Sequence, residues 1–106
     1  MKQYRLSDFT KGWVIGDFLP SIVKTQDCEV AIKRYQKADI DPKHHHKKAE
    51  EITVIVSGKY KLNELILEAD DIVHIDRDEP AEFECLEDGV TVVVKLPSVA
   101  GDKYVS

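Results

Sequence analysis

The chain has few cysteines and no long apolar run, and each shortage excludes a class of protein. Its 106 residues include only Cys28 and Cys85, too few for a disulfide scaffold and too far apart for a Cys-x-x-Cys metal site. No apolar segment approaches the length of a membrane span. The first eight residues lack the apolar segment of a secretory signal. We therefore expect a cytoplasmic protein whose two cysteines are reduced, unlinked and explained most simply as small core side chains.

Basic residues are also outnumbered. Fifteen Lys and Arg residues against 20 Asp and Glu residues give a net charge of −5. Non-specific binding to nucleic acid depends on neutralising phosphates, and binding to anionic membranes depends on a similar basic surface. The sequence therefore predicts neither nucleic acid nor a membrane as a partner.

Helical periodicity is missing throughout, and short strand-like segments take its place. Alternating or continuous apolar patterns predict strands over residues 29–35, 52–56, 59–62, 65–67, 72–75, 82–86 and 90–96. Residues 1–27 are weakly patterned, with one or two short strands expected, and residues 98–106 show no periodicity. Since a chain of this length has room for one core, we predict a single all-β domain over residues 1–106, built as a barrel or a sandwich.

Turn-forming residues set the expected strand ends. Asp39–Pro42 is predicted to be a loop, Lys47–Ala49 a short turn, and Gly58 the end of a strand. Asn63, which tolerates positive φ, predicts a tight hairpin with Glu64. Glu87–Gly89 is predicted to turn the chain between two strands.

Side chains that coordinate metals are concentrated between Lys43 and Gly58. On an extended backbone His44 and His46 project to one face and His45 to the other. Glu51 begins an apolar strand that, if it lies beside the histidine strand, brings its carboxylate to the same pocket. Imidazoles and a carboxylate are the usual ligands of zinc, iron, manganese and nickel.

The same segment resembles the first motif of the cupins, a family of small β-barrel proteins. The match consists of His44-x-His46, four residues, Glu51, six residues and Gly58, with Ala38 at the position where the family has its first glycine. The resemblance implies a cupin-type β-barrel, that is, a double-stranded β-helix or jelly roll, with its motif-bearing core over about residues 29–96. It also implies a divalent transition metal (Fe, Mn, Zn or Ni) held by His44, His46 and Glu51.

The second cupin motif is degenerate. The segment 70–85 has the spacing of that motif, but its signature Gly, Pro, Gly, His and Asn are replaced by Asp70, Asp76, Asp78, Ala81 and Cys85. Ala81 stands where the family usually has a fourth metal ligand. The remaining two histidines and one carboxylate can hold a metal with open positions, or the metal has been lost. His74 is interpreted first as a surface or core-edge residue and second as a replacement ligand. Cys85 is interpreted first as a core thiol and second as a soft metal ligand.

Three functions follow as alternatives, because one fold hosts many chemistries. The first is a metal-dependent enzyme of the dioxygenase or isomerase type, acting on a small metabolite or sugar. The second is a module that binds a small-molecule ligand without turnover, and the third is a structural barrel that has lost its site. We also expect a homodimer, with Trp13, Phe18 and Leu19 as candidate contact residues.

Overall fold

The computed structural model describes residues 1–106 and consists almost entirely of strands. A single 3-10 turn, Leu6–Asp8, precedes β1 (Trp13–Gly16), β2 (Val23–Lys24), β3 (Glu29–Tyr35), β4 (Ile40–His45), β5 (Glu50–Leu62), β6 (Leu65–Glu68), β7 (Ile72–Ile75), β8 (Ala81–Leu96) and β9 (Tyr104–Val105). The prediction of an all-β chain is confirmed. None of the structure's helices is both long and apolar enough to cross a membrane.

Two long strands, β5 and β8, organise the sheet. The strand order is β2-β1-β3-β8-β4-β9, and β5 pairs with β6, β7 and β8. Every pairing is antiparallel except that of β1 with β2. The inward faces of these strands enclose a core cluster: Ile55, Tyr60, Leu62, Leu67, Ile75, Ala81, Phe83 and Cys85. Ala81, Phe83 and Cys85 alternate along β8, as expected for the inward face of a strand.

The predicted strand ends at Gly58 and at Glu87–Gly89 are wrong. β5 continues through Gly58 and β8 continues through Gly89, and the two strands stay paired. Their register shifts at three places between Ile55 and Tyr60, and Gly58 has a φ of +89°. Such β-bulges bend a strand without ending it, and glycine supplies the backbone conformation they need.

Gly89 lies tightly against the β5 backbone at Ser57, which predicts a large cost for any side chain there. A Cβ atom at this position would lie 2.0 Å from the Ser57 carbonyl oxygen and 2.5 Å from the Tyr60 hydroxyl. Gly89→Ala should therefore lower the free energy of unfolding by about 2 kcal/mol or more, measured by urea denaturation. Gly101→Ala is the control, since a Cβ there meets nothing within 4 Å and only the positive φ is penalised. A Gly89→Ala variant as stable as the parent would contradict the close approach.

The remaining turn predictions have mixed outcomes. Residues 40–42 belong to β4, so the predicted loop over Asp39–Pro42 is wrong for most of its length. Proline at position 42 is compatible with this strand because the pairing with β8 is irregular between Asp41 and His44. The hairpin at Asn63 is confirmed: Leu62 pairs with Leu65, and Asn63 has a φ of +51°.

Candidate functional site

Alternate residues of three strands supply much of the wall of a cavity of about 80 Å³. They are Lys33 and Tyr35 of β3, Glu51 and Thr53 of β5, and Thr91, Val93 and Lys95 of β8. Because side chains alternate along a strand, each of these strands directs one row of side chains, most of them polar, at the same space. Thr53 and Thr91 are both buried, at 6% and 0% exposure.

His44 and His46 face this cavity, whereas His45 points away from it. His44 lies in β4 and His46 directly follows the strand, and their ring centroids are 5.1 Å apart at an interplanar angle of 81°. His45 stacks on Tyr104 of β9, with ring centroids 5.5 Å apart. The orientations expected from strand alternation are therefore observed.

Backbone carbonyls fix the tautomers of both cavity histidines. His44 Nδ1 donates to the Pro42 carbonyl at 2.7 Å, and His46 Nδ1 donates to the Asp102 carbonyl. Since a carbonyl oxygen can only accept, each neutral ring carries its proton on Nδ1 and a lone pair on Nε2. Histidines that bind metals are typically oriented in this way by a hydrogen bond from the other nitrogen.

Two polar atoms in the cavity wall are buried without a hydrogen-bond partner. They are His46 Nε2 and Thr91 Oγ1, on residues that are 7% and 0% exposed. Leaving such an atom unpaired costs about 1–3 kcal/mol, so native structures rarely do it without a reason. Burial also lowers the pKa of His46, so that its ring is neutral at neutral pH. A neutral imidazole with an unpaired nitrogen, on a residue that lines the cavity, is suited to bind a metal ion.

Asp102, in the segment without sequence periodicity, holds His46 and the turn that follows it. Its buried carboxylate accepts backbone N–H hydrogen bonds from Lys47 at 3.0 Å, from Lys48 at 3.2 and 3.0 Å, and from Ala49 at 2.9 Å. Burial alone would raise the pKa of Asp102, but these hydrogen bonds outweigh burial and the pKa is lowered. The carboxylate of Asp102 is thus ionised. Asp102 orients the His46 ring through its backbone carbonyl, and its side chain holds the turn at residues 47–49.

Glu51 lines the cavity, but its strand is not the neighbour of the histidine strand that the sequence predicted. β5 does not lie beside β4, because β8 pairs with both strands and separates them. The carboxylate of Glu51 still lines the cavity with His44 and His46, and it accepts a hydrogen bond from the Thr53 hydroxyl at 3.3 Å. The three predicted ligands therefore share one cavity, although their ligand atoms do not all lie within 4.8 Å of one another.

The one group of three possible ligand atoms within 4.8 Å of one another is Glu50, His74 and Asp76. His74 Nε2 lies 3.2 Å from Glu50 Oε1 and 3.7 Å from Asp76 Oδ1. Arg77 Nη1 lies 3.3 Å from the other oxygen of Glu50. This cluster is outside the cavity, and the side chain of His74 is 52% exposed. It has the properties of a surface ion-pair network, as expected for His74.

Ala81 lies directly opposite His44. The two residues are register partners of β8 and β4, and Ala81 also lines the cavity. The position where the second motif usually has its histidine is thus next to the predicted ligands. The methyl group of Ala81 offers no atom that could bind a metal there. Cys85 is fully buried in the core and does not line the cavity, and neither it nor Cys28 forms a disulfide.

Sequence reasoning missed the lysines of the cavity. Lys33, Lys95 and Lys103 all line it, together with Trp13. The ammonium groups of Lys33 and Lys95 lie 5.4 and 5.1 Å from the centroid of the Trp13 ring, within the range of cation–π contacts. One feature of the sequence could have indicated these residues. Lys33 and Thr91 are polar residues that interrupt apolar strand segments, Lys33 directly after Ile32 and Thr91 within the run 90–94.

Burial of His46 predicts a pH-dependent loss of stability in the metal-free protein. Its pKa is lowered below the ordinary 6.5, so the unfolded chain takes up a proton at this ring before the folded chain does. Above about pH 6.5 this ring makes no pH-dependent contribution. Below it, the free energy of unfolding should fall as pH drops toward the folded-state pKa, by at most about 1.4 kcal/mol per pH unit.

Urea unfolding at about pH 7 and about pH 5.5 checks this expectation. The loss between the two pH values should be smaller for His46→Gln than for the parent. His45→Gln is the matched control, because His45 stacks on Tyr104 outside the cavity. An equal loss in the parent and in His46→Gln would contradict the assignment.

No protein-family model and no curated protein sequence matches the chain. Solved structures do match. An uncharacterised conserved protein with a double-stranded β-helix domain from Klebsiella pneumoniae is 17% identical, with a TM-score of 0.72 and coverage of 99% of this chain and 91% of that one. KdgF from Halomonas sp. is 17% identical, with a TM-score of 0.66 and coverage of 72% and 74%.

A bacterial pirin from Escherichia coli, solved in complex with nickel(II), also matches. It is 19% identical, with a TM-score of 0.69, and the match covers 85% of this chain and 40% of that one. At these identities the likeness shows the fold alone.

Proposed function

We propose that this chain, which has the cupin fold, holds one divalent transition metal at His44, His46 and Glu51 and binds a small molecule in the adjoining cavity. The observation that carries the proposal is the Nε2 atom of His46, which is buried and unpaired on a residue that lines the same cavity as the other two. The hydrogen bonds from Nδ1 of both histidines to backbone carbonyls support it, because they leave both Nε2 lone pairs available.

The donor set suits a borderline transition metal. Two imidazoles and one carboxylate are typical of sites with open coordination positions, and Ala81 offers no fourth side-chain ligand. The carboxylate of Glu51 is held only by the Thr53 hydroxyl at 3.3 Å, a long distance for such a bond, and so it is free to turn toward an ion. When bound, a metal would supply Lewis-acid chemistry to a small molecule beside it.

The residues of this chain would orient and enclose that small molecule. Tyr35 donates a hydrogen bond to Asp41 at 2.9 Å, and burial together with the Asp41 carboxylate raises the pKa of Tyr35, so the phenol stays protonated. Phe83 and Val93 give the cavity an apolar wall. The same cavity would serve an enzyme of the dioxygenase or isomerase type acting on a small metabolite or sugar, or a module that binds its ligand without turnover.

The nickel(II) complex of the pirin is compatible with a metal in this fold. A structural barrel without a metal is the alternative, favoured by the fact that the three ligand atoms do not all lie within 4.8 Å of one another. Metal analysis of the purified protein tests the proposal. We expect about one divalent ion per chain, removable by a chelator and restored by titration; a protein that takes up no metal contradicts it.

The predicted cytoplasmic homodimer belongs to the same proposal. Leu19 is 78% exposed and is available for a subunit contact. Trp13 and Phe18 are partly buried and pack edge to face with ring centroids 6.4 Å apart, and Trp13 also lines the cavity.

A further inference from the structure

We infer that the small molecule is an organic acid whose carboxylate binds to Lys33 and Thr91 in the wall of the cavity. The inference rests on the proposed function in so far as the cavity is taken to be a ligand site. It does not depend on the metal, because neither residue belongs to the predicted ligand set.

Lys33 is a cavity lysine without an ionic partner. No carboxylate lies within 4.0 Å of its ammonium group, whereas Lys95 pairs with Glu29 at 3.8 Å. The centroid of the Trp13 ring lies 5.4 Å from Nζ, and Asp41 is the charged residue that acts on Lys33 most strongly. Partial burial lowers the pKa of Lys33, which reflects the cost of keeping a charge away from water. A bound anion would remove that cost.

Thr91 supplies a second donor on the same face. Its Oγ1 is buried without a partner, and the residue is 0% exposed. Thr91 and Lys33 are register partners of β8 and β3, so their Cβ atoms lie about 4.5–5.5 Å apart and their side chains project in one direction. An ammonium group offers only donors, and a hydroxyl can donate as well. The two side chains therefore reach into the same cavity from neighbouring strands, and each offers a donor to one carboxylate.

The size and charge of the cavity limit the anion. Its volume of about 80 Å³ accommodates on the order of five to eight water-sized groups, which is enough for a small acid. Asp41, Glu51 and Glu79 also line it, so an ion with two charges, such as phosphate, would face three carboxylates. The apolar side chains of Phe83 and Val93 suit a short carbon skeleton.

Binding of matched acids and amides tests the inference. Acetate, glycolate and lactate, which are all monoanions at neutral pH, would be titrated into the protein beside their neutral amides and followed by amide chemical shifts, with and without bound metal. Charge-assisted hydrogen bonds predict that each acid binds at least about tenfold more tightly than its amide. Lys33→Met should lose at least about tenfold in acid affinity, and Lys24→Met, at an exposed lysine outside the cavity, should lose none.

Thr91→Val keeps the shape of the side chain and removes only the hydroxyl, so it tests the second donor in a variant expected to fold. It should weaken the acids and leave the amides nearly unchanged. Acid binding that survives in metal-free protein and in His46→Ala would support the inference even if the proposed metal site failed. The inference is overturned if acids and amides bind equally, if no acid binds in either state, or if Lys33→Met binds acids as the parent does.

Discussion

Asp102→Asn should both destabilise the protein and weaken metal binding. In the variant, an amide nitrogen replaces one carboxylate oxygen and cannot accept an N–H hydrogen bond. Depending on which oxygen is replaced, the backbone N–H of Lys47 or that of Ala49 loses its acceptor, and the bonds that remain are no longer made to a charged group. We therefore expect the free energy of unfolding to fall by about 2 kcal/mol.

The effect on the metal follows from the contact with His46. The Asp102 carbonyl accepts the Nδ1 hydrogen of that ring, and a displaced turn would move the carbonyl. Changes of such orienting partners typically weaken metal affinity by about 10–100-fold. Urea unfolding and calorimetric metal titration of the same preparation measure the two effects.

Two control variants distinguish an effect on the orientation of His46 from a general loss of protein stability. Asp27→Asn changes an exposed carboxylate whose side chain accepts no hydrogen bond, so it should change neither quantity. Gly89→Ala should be destabilised at a contact with Ser57 and Tyr60 that includes no proposed metal ligand, and should keep the metal affinity of the parent when folded. If Asp102→Asn loses stability but binds metal as tightly as the parent, Asp102 does not position His46.

The strands were predictable from sequence because burial on one face leaves an alternating pattern. The same pattern placed His44 and His46 together and His45 apart, as the structure confirms. Local pattern could not distinguish a glycine that ends a strand from one that bends it. At Gly58 and Gly89 the distinction is set by the partner strand, which continues past both residues.

The parts of the site that could not be predicted depend on contacts between distant segments. Asp102 acts on residues 53 to 56 positions earlier in the chain, and the segment around it has no periodicity. Lys33 and Thr91 become neighbours only through the register of β3 with β8. The prediction that the strand of Glu51 lies beside the histidine strand was wrong for the same reason. β8 lies between β4 and β5, and this strand order cannot be seen in a local sequence pattern.

Loss of either cavity histidine should abolish metal binding without unfolding the protein. His44 and His46 supply two of the three proposed ligands, so His44→Ala and His46→Ala should each lower metal affinity by far more than the about 10–100-fold expected for an orienting residue. The fold should persist, because the core cluster contains neither histidine. Circular dichroism with a strand spectrum in both variants verifies that the fold is retained.

The neighbouring residues provide matched controls for that loss. His45→Ala removes an imidazole that stacks on Tyr104 outside the cavity, and His74→Ala removes the only histidine of the surface cluster with Glu50 and Asp76. Both variants should bind metal as the parent does. Ala81→His adds an imidazole opposite His44 and should tighten binding, provided that the ring fits the cavity.

Calorimetric titration of one divalent metal into the chelator-treated parent, His46→Ala, His45→Ala and His74→Ala is the most direct test of the metal site. The proposal predicts about one ion per chain for the parent, His45→Ala and His74→Ala, and none for His46→Ala. Binding that survives in His46→Ala and disappears in His74→Ala would move the metal to the surface cluster, and absence of binding by the parent would leave a barrel without a metal.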